Sequence, residues 1–532
     1  MGSEEIDLKG SLSKIMEDIG VFSKLGHGAQ SILMKLLTKE MGQGSPRQGL
    51  ADRVMVGLLG SVELMFVDQV GVPFVKWKQG SHAGGGREFH KPVMGIGSKD
   101  FRSVVMTSGW AAGRLLKGGD ANAVVELFSS MAITSGEHYE LHLRVAYEED
   151  KGRLWYDLSN WRAVEIWEGG WRVVNYPPPL FRSYPFQRSQ VDPEKVGDYR
   201  VLEELMNIFP IKKEWDRLLF LVYFICGYLP HIPRPLLLLN GPKGSGKTMA
   251  FRLLRQLIDP AEPECIDPSH KKEEWVQAAS HHYCVFVDNM SNLSDTMSDF
   301  FCRLCTGEGF SKRALYSDDS DIVYSLRRLV GYNGINLPTF KSDLFDRVLV
   351  FDLSPIDDFN RQTEMDLLAQ FNTIRSKVLG AAFTVLGEAM GRMRKGFKLV
   401  KKPRMADFAS WGEAIAQALG YSEETFLNAY FFKIRGIHEQ VLQENPLAQA
   451  LLHLLPTQED YRISCTPIEL LQELNRVSKS LKIDSTQPLW PKEPGWLIRR
   501  LKELEVDFRA IGISITQKRT QYQRQIEIVQ VK

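Results

Sequence analysis

Cysteine is scarce. Six thiols occur in 532 residues, at Cys226, Cys265, Cys284, Cys302, Cys305 and Cys465, and they are too scattered for a disulfide framework. That usage predicts a reducing, cytoplasmic setting. Net charge is nearly absent too. With 66 Lys+Arg against 65 Asp+Glu the balance is +1, which excludes a uniformly basic coat and confines nucleic-acid binding to local patches. Long apolar runs are missing. The longest, Leu218 to Leu229, is too short to cross a bilayer and reads as a buried helix, so no membrane partner is expected. The start, Met1-Gly2-Ser3-Glu4-Glu5, lacks the basic-then-apolar order of a signal peptide. Met1-Gly2-Ser3 also matches a cloning scar, which leaves room for a longer natural N-terminus.

What remains is globular composition, 44% apolar and 25% charged, at a length that implies several domains. Residues 1–135 read as a helical N-terminal region, with a helix period over 4–40, a loop at 42–49 and a helix at about 51–69. Lys78 to Gly86 is Gly-rich and flexible. It is no phosphate loop, because no apolar strand precedes it and no Gly-Lys-Ser/Thr closes it. Residues 136–199 alternate like short strands and predict a small antiparallel β domain, ended by Pro177-Pro178-Pro179. Its aromatics, Trp155, Tyr156, Trp161, Trp167 and Trp171, read mainly as sheet core, with base stacking as the alternative. Residues 200–360 alternate strand and helix, as a parallel α/β sheet does, and 361–446 form a helical lid region. Residues 447–532 read helix, helix, helix, hairpin, the order of a winged-helix-like domain.

The strongest chemical signal is Asn240-Gly241-Pro242-Lys243-Gly244-Ser245-Gly246-Lys247-Thr248, between the apolar strand Leu236–Leu239 and an amphipathic helix. Glycines let backbone N–H groups close on phosphate oxygens, and the helix N-terminus adds positive potential. Lys247 is placed to reach the β/γ phosphates of ATP, and the Thr248 hydroxyl to take Mg²⁺. Downstream, Tyr283-Cys-Val-Phe-Val-Asp288-Asn289 is an apolar strand ending in the carboxylate expected to hold Mg²⁺. Many ATPases follow it with Glu. Asn289 cannot accept a proton, so it only positions water or the base lies elsewhere, with Asp288 and Glu308 as candidates.

A polar amide ending a further core strand resembles the place of the sensor-1 residue in AAA+ ATPases. Asn333 is the first candidate and Asn336 the second. Arg347, before the strand Val348–Asp352, stands where an arginine finger reaches a neighbouring subunit; an ion pair with Asp343 or Asp346 is the alternative. Thr306 to Ser325 reads as a hairpin around an Asp-rich turn, with Lys312 and Arg313 better placed for DNA than the tip. In the C-terminal unit Arg499, Arg500, Lys518 and Arg519 are the candidate phosphate contacts, although such folds also serve as protein-interaction modules. Cys302 and Cys305 lack a second pair at zinc spacing and read as one apolar helix face; His281-His282 lack partners and read as lining the Asp288 strand.

Taken in order, Gly-Pro-Lys-Gly-Ser-Gly-Lys-Thr, Val-Asp-Asn-Met-Ser, Gly-Tyr-Asn-Gly-Ile and Asp-Leu-Phe-Asp-Arg resemble the helicase-type AAA+ ATPases of phages, plasmids and integrated elements. The set is similar to superfamily-3 helicases and to the helicase part of primase-helicases, specifically so over about 140–420. The resemblance implies an α/β fold: an AAA+ P-loop ATPase core with a parallel sheet, an α+β N-terminal region and a C-terminal winged-helix-like domain. It also implies a homo-hexameric ring that hydrolyses ATP with Mg²⁺ and moves on single-stranded or forked DNA, alongside a primase or other replication proteins. No primase carboxylate motif is present in the chain. Alternatives are a replication initiator or helicase loader without processive unwinding, and a nucleotide-gated scaffold with little hydrolysis.

Overall fold

The computed structural model describes residues 50–530 apart from 84–86, 89–91, 112–114, 135–136, 179, 269–270, 290–293, 314–320, 335–341, 358, 360 and 520–523. The helices expected over 4–40 and the loop at 42–49 lie outside the described residues.

The N-terminal unit is α+β rather than helical throughout. Helix α1 (Leu50–Gly60) is followed by strands β1 (Val62–Val67) and β2 (Pro73–Trp77), a short hairpin β3 (His82–Ala83) and β4 (Arg87–Glu88), strand β5 (Val93–Gly95), and helices α2 (Lys99–Ala111) and α3 (Gly118–Thr134). β1, β2 and β5 form an antiparallel sheet in that order. The helix expected to reach 69 therefore ends at Gly60, and Val62-Glu-Leu-Met-Phe-Val enters the sheet. A buried stretch this short carries no periodicity that separates helix from strand, and β-branched and aromatic residues favour the pleated surface.

The antiparallel sheet expected after it is present: β6 (Val145–Glu148), β7 (Arg153–Ser159), β8 (Arg162–Trp167) and β9 (Gly170–Asn175), in chain order. Its aromatics are structural. Trp155, Tyr156, Trp161 and Trp171 are all buried, and Trp167 lies under Arg153 and Arg172. The β7–β8 turn carries Ser159, Asn160 and Trp161 with φ of 66, 52 and 64°. This turn swings Trp161 out of the sheet and into the core of the N-terminal unit, against Tyr176. Base stacking is not available to the four buried rings.

Helices α4 (Arg200–Ile208) and α5 (Glu214–Cys226) lead into the parallel unit, and α5 is buried along Leu218–Cys226 as its apolar run predicts. Then follow β10 (Leu236–Asn240), α6 (Lys247–Ile258), α7 (Lys272–His281), β11 (Cys284–Val287), α8 (Asp295–Thr306), the hairpin β12 (Gly309–Arg313) and β13 (Asp321–Ser325), β14 (Leu329–Gly334), α9 (Ser342–Phe345) and β15 (Val348–Asp352). The sheet order is β11-β14-β10-β15, with every pairing parallel. Ile266 adds an isolated parallel bridge to Val287 at the outer edge.

The lid helices α10 (Glu364–Arg394), α11 (Ala406–Ala418) and α12 (Thr425–Glu444) do not form a separate body. One apolar cluster runs from Leu154 and Ile166 of the small sheet through α5 and β10 to Phe383 and Tyr430. The regions expected as 136–199, 200–360 and 361–446 thus share a core, because a single layer cannot bury its own apolar face. Contact is close enough that a Cβ at Gly380 would clash with the Glu194 carbonyl oxygen.

The C-terminal unit has its own core. It comprises α13 (Pro446–Leu454), β16 (Arg462–Cys465), α14 (Pro467–Ser480), α15 (Pro494–Glu503), α16 (Glu505–Ala510), β17 (Ile513–Arg519) and β18 (Arg524–Gln530), with strands ordered β16-β18-β17. The expected helix-and-hairpin order is there. Strand β16 is an addition, and the helix expected near 494–506 breaks in two at Leu504. Thr466 and Glu469 close a capping box at the start of α14. No described helix is long and apolar enough to cross a membrane.

Candidate functional site

Because the four strands are parallel, their C-terminal ends share one edge, where α/β sheets place ligands. The register sets Asn240 beside Gly334 and Asp352, and Leu239 beside Asn333, while Asp288 leaves β11 on the same side. The loop 241–248 rises from this edge. Gly244 and Gly246 both have φ of +79°, where a side chain is strained. Gly241 is closed in as well, since a Cβ there would lie 2.7 Å from the Leu353 carbonyl oxygen.

Lys247 begins α6 and reaches back over the loop, its Nζ donating to the carbonyls of Gly241 at 2.7 Å and Pro242 at 2.9 Å. Partial burial lowers its pKa, and the Asp288 carboxylate opposes that shift. Asp288 is the hub. Its Oδ1 accepts the Thr248 hydroxyl at 3.0 Å and the Asn333 amide at 2.5 Å. Asn333 is 2% exposed, and its Oδ1 accepts the backbone N–H of Asn289 at 2.7 Å. The structure thus brings Thr248, Asp288, Asn289 and Asn333 into one chain of hydrogen bonds. Asn336 lies outside the described residues.

Asn289 sits at φ +60°, a left-handed conformation that Asn tolerates better than most side chains. The backbone supplies a reason for Asn where Glu was the usual expectation. Glu308 lies away from this edge of the sheet. It follows α8 beside Arg303, and the carbonyl of Leu304 near that helix end accepts the Arg328 N–H just before β14, the opposite end of the strand from Asn333.

Arg347 also lies at the far edge. Its carbonyl accepts the Leu236 N–H at 2.8 Å, five positions before Asp352. At about 3.3 Å per strand residue it is roughly 16 Å from the loop end of β15. Its neighbour Asp346 bonds His438 and Arg404.

Sequence reasoning missed a cavity of 480 Å³ beside the loop. It is lined by Ile208, Phe209, Pro210, Met249, Ile356 and Leu367, together with Gly246 of the loop. Arg361 also lines it, with a guanidinium nitrogen 3.8 Å from where a Gly244 Cβ would be. Apolar residues from segments 150 positions apart carry no local motif, so only the fold assembles them. Asn240 donating to Asp352 at 2.9 Å was missed for the same reason.

Among the nucleic-acid candidates, Lys312 and Arg313 lie on β12, in register with Ile322 and Asp321; their side chains lie outside the described set. Arg499 and Arg500 lie on α15, 3.4 and 2.7 Å from Glu503. Lys518 on β17 pairs with Glu527 at 3.0 Å, and Arg519 ends that strand opposite Arg524. Such solvent-facing pairs are weak, because water screens them, so a phosphate can displace the carboxylate. Cys302 and Cys305 are buried on α8, as the apolar-face reading expects. His282 packs on Phe186 and bonds Arg255, and burial pushes its pKa down to about 4. Among the described residues no cluster of His, Cys, Asp and Glu is set to hold a metal by itself.

Residues 202–434 match the family model described as the actinomycete integrative conjugative element replication protein, and residues 447–532 match that of the C-terminal domain of the same RepA proteins. No curated protein matches the chain. Among solved structures, the A form apo structure of the NrS-1 C terminal region shares 13% identity, covering 90% of this chain and 98% of that one at a TM-score of 0.42. A second apo structure of that region (305-718) shares 13%, covering 91% and 100% at 0.40.

Proposed function

We propose that this chain, a mobile-element replication protein by its two family matches, is an ATP-driven DNA helicase or translocase that works as a ring on single-stranded DNA. The observation that carries this reading is the Thr248–Asp288–Asn333 hydrogen-bond chain beneath a left-handed glycine loop, on the C-terminal edge of four parallel strands. The strand order, with the loop strand β10 between β14 and β15, supports an AAA+ P-loop core.

In this reading the loop and the N-terminus of α6 hold the triphosphate, and the 480 Å³ cavity beside them takes the base and ribose. The Thr248 hydroxyl and Asp288 carboxylate, 3.0 Å apart, are hard oxygen donors that suit Mg²⁺. Bound there, Mg²⁺ would neutralise charge on the β and γ phosphates. Lys247 supplies a second positive group. Asn333 fixes Asp288 and holds the Asn289 turn, so that the attacking water is oriented at the edge of β11. In this reading Asp288 is the candidate to accept the proton of that water. Arg347, on the far edge, serves a neighbour's site, which calls for a ring, with a homo-hexamer as the expected form. The β12–β13 hairpin and the basic residues of α15 and β17 bind DNA, and a primase is a natural partner.

The exposed Asn289, with no acid at that position, favours one second reading: a replication initiator or helicase loader with slow turnover. ATPase activity with and without single-stranded DNA, next to strand displacement on a forked duplex, tests both. Lys247→Ala supplies the zero. DNA-stimulated turnover with displacement supports the helicase. Turnover without displacement supports the loader. Turnover equal to that of Lys247→Ala refutes both.

A further inference from the structure

Three distant parts of the chain meet at one buried imidazole. His438 on α12 is fully buried. Its Nε2 lies 3.0 Å from Asp346 Oδ1, and its Nδ1 lies 2.7 Å from Asp507 Oδ1. Asp346 sits between α9 and β15 and immediately precedes Arg347; Asp507 belongs to α16 of the C-terminal unit. The second oxygen of Asp346 accepts from Arg404 at 3.4 Å, and the Phe345 ring packs edge-on to the imidazole.

This geometry dictates the protonation state. A neutral imidazole carries one N–H, yet both ring nitrogens face carboxylate oxygens. Only the imidazolium donates to both. His438 and Arg404 then balance Asp346 and Asp507, which makes burial tolerable. Burial alone lowers the pKa of His438, but the two carboxylates overcome it and hold it up at about 9. Asp346 is correspondingly lowered against its own desolvation by His438 and Arg404. The charged and titratable groups around the ring are Asp346 from the α9–β15 turn, Asp507 from α16, Arg404 ahead of α11, and Tyr430 two turns earlier on α12, whose phenol burial pushes up.

The location argues for more than a staple. Helix α16 follows α15 with only Leu504 between them, so a shift of α15 against DNA carries Asp507 with it. At the other end, Asp346 is bonded covalently to Arg347, whose carbonyl registers β15 on β10. The Asp346–His438–Asp507 bridge is the charged link between them.

We propose that Asp346, His438 and Asp507 form a positioning bridge that passes DNA engagement by the C-terminal unit to Arg347. The proposal rests on the reading of Arg347 as a group acting on a neighbour's site. None of the three touches nucleotide; each acts through the residue it holds.

The test is Asp507→Asn in the full chain, which keeps side-chain size and removes the charge on one side of the imidazolium. Affinities for ATP and DNA and the DNA-free turnover should stay near parental, while stimulation of turnover by single-stranded DNA should fall about five-fold or more. In the parent that stimulation should fall as pH rises through about 9. A second readout needs no turnover: hydrogen exchange of the segment 342–348 should respond to DNA in the parent and not in the variant. Parental stimulation together with a parental exchange response in Asp507→Asn would reduce the bridge to packing. If the variant fails to fold, parental stimulation that persists above that pH overturns the proposal. A parent with no turnover defeats the ATPase reading, yet the exchange response of 342–348 to DNA still decides the bridge, and no response sinks it.

Discussion

Asn289 separates backbone chemistry from side-chain chemistry. Its φ of +60° places a residue with a Cβ in the left-handed region, and its N–H is committed to Asn333 at 2.7 Å. For an ordinary L-residue that conformation costs about 1–2 kcal/mol, while Gly adopts it freely and Asn at a discount. Asn289→Ala should therefore destabilise the unit by about 1 kcal/mol, a fall in melting temperature of roughly 1–2 °C for a shared core of about 300 residues. Asn289→Gly should be close to neutral, because relief of the left-handed strain offsets the added freedom of the unfolded chain. Asn289→Glu bears the same backbone cost as Ala but places a carboxylate at the water site. Thermal unfolding of the three variants, read beside ATPase rates, divides the effects. If the amide orients water, Ala and Gly lose turnover alike despite their different stabilities, and Glu raises it. Equal melting temperatures for Ala and Gly would refute the backbone argument. Parental turnover in all three would remove Asn289 from the mechanism.

Other outcomes follow from the same geometry. Asn333→Ala removes the donor to Asp288 and the acceptor for the Asn289 N–H; turnover should fall by about ten-fold or more with ATP affinity little changed, the one lost bond to a charged group, Asp288, being worth about 1.5–3 kcal/mol. Arg347→Ala should nearly silence hydrolysis while ATP still binds, and mixing it with Lys247→Ala should restore some activity, since a mixed ring pairs intact loops with intact arginines; full, concentration-independent activity from a monomer would defeat the ring. Arg499→Ala should lower the slope of log affinity against log salt by about 1 if that side chain leaves Glu503 for a phosphate. An unchanged slope would favour protein interaction for the C-terminal unit. Because the folded pKa of His438 is raised, to about 9, its contribution to stability is complete below its ordinary value of 6.5 and is lost as pH rises through about 9. Asp346, lowered in the fold, acts in the opposite direction: its contribution is present above the ordinary carboxylate range and lost as pH falls through its lowered value. Denaturant midpoints across both windows check the signs, and His438→Gln should flatten the alkaline limb.

The loop 241–248 was legible because its demands are local. Glycines at the left-handed positions, an apolar strand before and a helix after are all written between Leu236 and Ile258. The Asp288 strand, the buried helix α5 and the C-terminal helix-and-hairpin order were legible for the same reason: each is a short-range pattern of polarity. Tertiary structure decided what depends on long-range pairing. A run such as Val62–Val67 is apolar enough for either helix or strand, and its sheet neighbours settled the matter. Asn333 is already the first candidate amide in the sequence, but its bond to Asp288 exists only because β14 falls between β10 and β11. The shared core of small sheet, parallel unit and lid, the cavity beside Gly246, and the meeting of Asp346, His438 and Asp507 all join residues far apart in the chain. Local sequence carries which residues are apolar or charged. Which of them meet is set by the packing of layers against one another, because many pairings satisfy the same pattern and only one buries every face at once.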